Sequence, residues 1–262
     1  MRLAAIINVW DDWDLLDHSY KHIQPLVDDI IVIASEYSNS GEFSPIPDRW
    51  HKRGVFKFES KGNSLIEKET SKRNHGIVIA RHTGFTHFLT MDADEFYDPD
   101  EFNAVKQLFH VKTGLLGIVC PSAVYFRSPK LSIGRDRTLV PFIHRLTPGL
   151  KHGPYRRYPY AYKDRGIVID PTRQLNINSG IEYTEDVTMH HYSWVRRDYQ
   201  KKIRNSTARH NLERSCILKD LKNALQQGEG YFCEYYGKPL VRATVDFGIP
   251  EYESEIDHNP VR

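Results

Sequence analysis

Apolar residues switch between short continuous runs and helical spacing through the first half of this 262-residue chain. Leu3 to Val9 is an unbroken apolar run, the pattern of a strand buried on both faces of a parallel sheet. Leu15, Leu16, Tyr20 and Ile23 then recur at helical spacing, and Pro25 ends that helix. Asp28-Asp29-Ile-Ile-Val-Ile-Ala34 reads as the second strand of a β-α-β opening, for which a right-handed crossover is expected. Gly41, Pro45 and Pro47 mark a loop over Ser38 to Trp50, and Val55 to Phe58 is a short strand. A helix runs from Ser64 through Ile66, Thr70, Ile77 and Ala80 to a stop at Gly84. Phe85 to Met91 is the fourth strand, and Phe102, Val105, Leu108 and Phe109 continue the alternation with another helix.

The second half is less regular. Leu115 to Val124 reads as a strand that Tyr125 and Phe126 extend. Residues 127–173 hold many prolines, glycines, arginines and tyrosines, which predicts loops and short antiparallel strands in a substrate lobe. Val187 to Trp194 is a short strand-like run with adjacent His190 and His191, followed by a basic helix bearing Lys201, Lys202, Arg204 and Arg209. The expected organisation is an α/β fold: 1–126 as a ligand-binding half, 127–195 as a lobe completing the same domain, and 196–262 as a C-terminal helical extension.

Composition narrows the class without naming it. Hydrophobic residues at 40% and charged residues at 27% describe a globular chain. No apolar run approaches the ~18 residues of a membrane span. The start is too short and too acidic for a signal peptide, so a cytoplasmic protein is expected. Cys120, Cys216 and Cys233 are widely spaced and odd in number, which fits a reducing compartment and gives no disulfide framework or zinc motif. The net charge of +2 hides a segregation: acids gather before position 102, Lys and Arg after 127. A basic second half suits phosphates or a polyanionic acceptor, or is simply a solvated surface. The stretch 151–165 interleaves cations with aromatics, a surface for sugar rings or unpaired bases, or a Tyr-rich loop packed on the core.

The chemistry concentrates at Met91-Asp92-Ala-Asp94-Glu95. Asp92 and Asp94 are alternate residues, so if the strand persists they leave one face of the sheet and share a hard cation such as Mg²⁺ or Mn²⁺. Ligands of open α/β sheets gather at the carboxyl ends of strands, where this pair falls. Asp98 and Asp100 flank Pro99 and read as turn and cap residues.

The order Arg73-Asn74-His-Gly76, Ala80, Gly84, then Phe88-Leu-Thr-Met-Asp92-Ala-Asp94-Glu95 resembles the signature of family-2 glycosyltransferases with the GT-A fold. His191-Tyr192-Ser193 is similar to a late segment of related members, and the opening through Asn8 to the second strand resembles their nucleotide-binding start. The resemblance implies sugar transfer from a nucleotide-diphosphate donor to an acceptor hydroxyl, with inversion expected and Mn²⁺ or Mg²⁺ as cofactor. It implies Asp92 on the donor ribose or the metal, Asp94 as principal metal ligand, and His191, with His190 as its alternate, as a later ligand. Asn8, Trp10, Glu36, Arg73, Asn74, Trp194 and Lys201 are the implied donor-binding set. Glu36 falls in Ala34-Ser35-Glu36-Tyr37-Ser38, where the family reads Asp-Asp-Gly-Ser. For the base, Glu185 or Asp186 is expected, with Glu95 as a third carboxylate; the first two also read as a polar turn. The acceptor is a saccharide, a lipid-linked sugar or a nucleic acid such as a hydroxylated base in DNA. A Mg²⁺-dependent nucleotidyltransferase or phosphohydrolase, or a non-catalytic sugar-nucleotide-binding module, stays open beside these.

Overall fold

Strand β1 (Leu3–Val9) is buried along its whole length. Its residues Leu3, Ala5, Ile7 and Val9 enter one hydrophobic cluster and Ala4 and Ile6 another, so both of its faces are covered. The computed structural model describes residues 1–153, 168–170, 172–177, 179–206, 208, 211–212 and 215–252. The chain divides into two units, Met1–Pro121 with Arg137–Met189, and Ser122–Asp136 with His190–Arg262.

In the first unit, β1 is followed by α1 (Trp13–Ile23), β2 (Asp29–Ala34), the single turn α2 (Asp48–His51), β3 (Phe56–Lys57), α3 (Leu65–His82), β4 (His87–Asp92) and β5 (Glu95–Tyr97). Then come α4 (Pro99–Lys106), α5 (Leu108–Val111), β6 (Gly117–Phe126), β7 (Ser128–Arg145), β8 (Val168–Ile169), β9 (Ile181–Tyr183) and β10 (Met189–Trp194). The sheet runs β3-β2-β1-β4-β7-β6, with β8 beside β7 and β9 beside β6. β3, β2, β1 and β4 are mutually parallel, and β4 meets β7 antiparallel. This is a mixed α/β fold with a mostly parallel sheet. Trp13 and Leu16 of α1 pack into one face of β1, and Ile77 and Ala80 of α3 into the other.

The second unit has its own core, in which Phe126 and Ile133 join Trp194, Tyr199, Ile203, Ile217 and Leu221. It contains α6 (Tyr199–Asn205), a helix over Ile217–Gln227, the hairpin of β11 (Phe232–Cys233) and β12 (Lys238–Pro239), and β13 (Val241–Arg242) on the edge of β7. Among the described residues the chain beyond Gly228 is hairpin and extended segment.

Two elements differ from the sequence reading. Residues 128–145 form one long strand where loops and short strands were expected. Pro141 lies between residues 143–145, which pair with β4, and 138–139, which pair with β8. The second concerns β4, which stops at Asp92; residues 93 and 94 form a turn, so the alternation that was to aim Asp92 and Asp94 together does not persist. Within 151–165, residues 154–165 lie outside those described, as does Arg209.

Helix α3 begins with a capping box in which Ser64 accepts from the Glu67 amide and Glu67 accepts from the Ser64 amide. Gly76 is where that helix comes closest to the sheet, and a Cβ there would stand 2.3 Å from Ile6 Cγ2. The glycine after Arg73-Asn74 is thus a packing requirement of the α3 to β1 contact. Gly76→Ala is expected to lower stability by about 1–3 kcal/mol, read as a lower denaturation midpoint in urea; an unchanged midpoint would show that the helix can back away without cost.

Candidate functional site

The parallel strands end together at one edge of the first unit. β1 lies between β2 and β4, so the chain leaves β1 to one side and returns to the other, which makes the carboxyl ends of β1 and β4 a topological switch point. Asn8 is the register partner of Asp92 across that point. Its side chain is only 4% exposed, and neither amide atom has a hydrogen-bond partner among the described residues. A buried, unsatisfied amide beside a crevice is the state expected of a group that bonds a ligand.

Asp92 is bracketed by two arginines. Arg73 Nη2 donates to Asp92 Oδ1 at 3.0 Å and Oδ2 at 3.1 Å, and Arg173 Nη2 donates to Oδ2 at 2.7 Å. Arg73 is placed by α3 and also meets Glu69 at 3.2 Å, which in turn meets Lys72 at 3.4 Å. Arg173 also donates to both oxygens of Glu95, at 3.0 Å from Nη1 to Oε2 and by a shorter contact from Nη2 to Oε1. Glu95 Oε2 accepts from the Asp92 amide at 3.0 Å as well, closing the turn after β4. Burial works against the charge on Asp92, but Arg73 and Arg173 outweigh it and hold the carboxyl well below the usual carboxylate range.

Arg173 is held by its own scaffold. His152 Nδ1 donates to the Arg173 carbonyl at 3.2 Å, which leaves Nε2 to accept from Thr90 Oγ1 on β4 at 3.2 Å. Burial, with Arg73 next, pushes the His152 imidazole well below its ordinary value, so it stays neutral. Asn74 clamps the His152 backbone from both sides, donating to its carbonyl at 3.0 Å and accepting from its amide at 2.6 Å. Asp170 completes the support at 3.7 Å from Arg173 Nε.

Asp92 has both oxygens engaged by guanidinium groups and stands in this structure as the centre of an ion-pair cluster. Arg73 is 2% exposed and meets Asp92 and Glu69, while its Nε and Nη1 have no hydrogen-bond partner among the described residues. Asn74 holds the backbone of His152. Glu95 is 0% exposed and bonded to Arg173. Trp194 is a core residue of the second unit whose Nε1 donates to Tyr236 Oη at 2.8 Å.

The other residues fall as follows. Asp94 follows Asp92 in the turn, 2% exposed, with a carboxylate oxygen within 4.8 Å of one from Glu95. Trp10 Nε1 donates to the Glu36 carbonyl at 3.4 Å, and the Glu36 carboxylate pairs with Lys57 at 2.5 Å, so the ends of β1, β2 and β3 are tied together. Glu185 and Asp186 are exposed in the turn between β9 and β10, where Tyr183 Oη donates to Glu185 and Thr184 Oγ1 to Asp186. In the second unit, His190 packs against Phe247 with ring centroids 5.0 Å apart and bonds Tyr125 Oη through Nδ1 at 3.0 Å. His191 is its neighbour on β10, and Lys201 lies on α6, whose start is capped by Asp198. Asp98 caps α4 as expected.

Sequence reasoning missed Arg173. The signal was present only as the arginine excess after position 127, because ion pairing across 81 residues leaves no local pattern.

No known protein family matches the chain, and no curated relative does. Solved structures do. S. aureus TarS is 11% identical with a TM-score of 0.42, the match covering 78% of this chain and 38% of that one. Glucosyl-3-phosphoglycerate synthase from Mycobacterium tuberculosis, in complex with Mn²⁺ and UDP-glucose, is 14% identical at 0.32, covering 47% and 44%. 4-Diphosphocytidyl-2C-methyl-D-erythritol synthase is 14% identical at 0.36, covering 55% and 75%. This chain thus spans about four tenths of the TarS chain. Likenesses of this size carry no argument about activity. Among the described residues no helix is long and apolar enough to cross a membrane.

Arg173→Met leaves Glu95 buried without its cation and Asp92 with one arginine. The expected cost is about 3–5 kcal/mol, most of it from Glu95 because the Asp92 side chain is 31% exposed. Urea denaturation of the single variant and of Arg173→Met with Glu95→Gln checks this: the double variant should cost less than the two singles together, and simple additivity would break the coupling.

Proposed function

We propose that the chain is a metal-dependent glycosyltransferase of GT-A type, moving a sugar from a nucleotide-diphosphate donor to an acceptor hydroxyl with inversion. What carries the reading is Asp94, a buried carboxylate in the turn after β4 at the switch point, with the unsatisfied Asn8 across from its neighbour Asp92. The motif order from Arg73 to Glu95 supports the same class.

The donor set suits a hard cation. Asp94 offers carboxylate oxygen, the ligand type that Mg²⁺ and Mn²⁺ prefer. Bound there, a divalent cation offsets the charge that develops on the departing diphosphate. Asp92, locked by its arginines, fixes the turn that presents Asp94. Asn8 offers both a donor and an acceptor to the nucleotide. Glu36, paired with Lys57 at the ends of β2 and β3, is the proposed contact for the nucleobase. Glu185 and Asp186 are the remaining carboxylates for deprotonating an acceptor, and the acceptor proposed is a saccharide in the cytoplasm.

Calorimetry with a panel of nucleoside diphosphates tests this. Binding should tighten with Mn²⁺ or Mg²⁺ in the native protein, and Asp94→Ala should remove the gain while Asp94→Asn keeps part of it. Equal affinity with and without cation would overturn the reading. Product analysis with the productive donor should show nucleoside diphosphate; release of pyrophosphate would instead identify a nucleotidyltransferase.

A further inference from the structure

Three neighbouring strands of the first unit end on groups suited to reading a flat heterocycle. Trp10 follows β1, Glu36 lies just past the end of β2, and Lys57 closes β3. The parallel register sets Ala34 opposite Lys57, and the Glu36 carboxylate meets Lys57 Nζ at 2.5 Å. Neither group is used up by the pair, since an ionised carboxylate accepts several hydrogen bonds and an ammonium donates several. The Glu36 backbone is fixed, its carbonyl accepting from the Ser44 amide at 2.8 Å and from Trp10 Nε1 at 3.4 Å. Both side chains stay reachable, 23% exposed for Glu36 and 51% for Lys57. Flat rings stand beside them: Trp10 is half-buried, and Tyr37, next to Glu36, is half-exposed and packs on Phe43 with ring centroids 5.3 Å apart.

The strand order β3-β2-β1-β4 puts these groups in a row leading away from the turn that carries Asp94. A nucleotide whose diphosphate is drawn to a cation at Asp94, and whose sugar passes Asn8 at the end of β1, brings its base to the ends of β2 and β3. That path rests on the nucleotide-sugar reading of this edge. Along it the Glu36 carboxylate comes before the Lys57 ammonium. In a pyrimidine the ring nitrogen N3 is likewise nearer the sugar than the group on C4. Uracil therefore offers N3–H to the carboxylate and O4 to the ammonium, and guanine presents the same pair as N1–H and O6. Cytosine and adenine present the reverse, a ring nitrogen lone pair against the carboxylate and an amino group against the ammonium, so both contacts become repulsive. Aromatic stacking holds every base and does not select among them.

We propose that Glu36 and Lys57 form a base reader that selects donors carrying a keto base, uracil or guanine, over donors carrying cytosine or adenine. Trp10 and Tyr37 supply the stacking surface, and the order of the two charges across the sheet supplies the selection. Nothing local in the chain marks Lys57 as the partner of Glu36; the β2 to β3 register alone joins them.

The test is calorimetry on the full chain with Mn²⁺ present, comparing UDP, GDP, CDP and ADP. UDP or GDP should bind at least about tenfold more tightly than CDP and ADP. Glu36→Gln should weaken the keto nucleotide relative to CDP and ADP, so that the preference falls by about tenfold. The exchanged pair, Glu36→Lys with Lys57→Glu, keeps an ion pair between β2 and β3 while reversing its order, and should prefer CDP or ADP. A pair that only ties the strands would lower all four affinities in proportion or leave them unchanged, and either result would overturn the base reader. So would equal binding of all four by the native chain, tighter binding of CDP or ADP, or an exchanged pair that keeps the native preference; each of these leaves the nucleotide-sugar reading standing. Binding of none of the four with Mn²⁺ would instead overturn that reading and the base reader with it.

Discussion

The contact on which the switch-point edge of the first unit depends is Asp92 held between Arg73 and Arg173. Each partner comes from a different part of the chain: Asp92 closes β4, Arg73 stands on α3, and Arg173 arrives from a segment 81 residues further on. One carboxylate therefore ties helix, strand and late loop into one corner. The chain of charge extends outward through Glu69 and Lys72 on one side and Glu95 and Asp170 on the other. Burying so many charges is costly unless each is paired and hydrogen-bonded, and here the pairing is dense enough that removing any one member strands another. The cluster sets geometry more than it adds stability. It fixes the turn after β4, and that turn is what carries Asp94.

Around this corner the hydrogen-bond scaffold is specific about orientation. His152 has one tautomer available, because its Nδ1 faces a carbonyl and its Nε2 faces a hydroxyl. Asn74 uses both ends of its amide on one backbone residue. Asn8, at the same edge, is the contrast, with a buried amide that the protein leaves unsatisfied. Arg73 shares that state in part, since its Nε and Nη1 are buried without hydrogen-bond partners among the described residues.

Much of the first half was legible because its signals are local. The apolar run at Leu3 to Val9, Pro25 after α1, Ser64 with Glu67 at the start of α3, and Asp98 with Pro99 at the start of α4 each declare an element within a few residues. The acidic cluster was legible as chemistry but misread as geometry. Its alternation assumed a strand that ends one residue too soon, and no local signal announced the arginines that occupy Asp92. The long strand β7 was hidden by Pro129, Gly134 and Pro141, which locally argue for a loop. Trp194, placed by the resemblance in the donor-binding set, packs in the core of the second unit. Long-range pairing is what the sequence could not express.

Crystals grown with Mn²⁺ and a nucleoside diphosphate, measured at the manganese absorption edge, test the account most directly. It predicts an anomalous peak at the Asp94 carboxylate while Asp92 keeps its bonds to Arg73 and Arg173. A peak shared by Asp92 and Asp94 with the arginines displaced, or no peak at Asp94 with nucleotide bound, would contradict it.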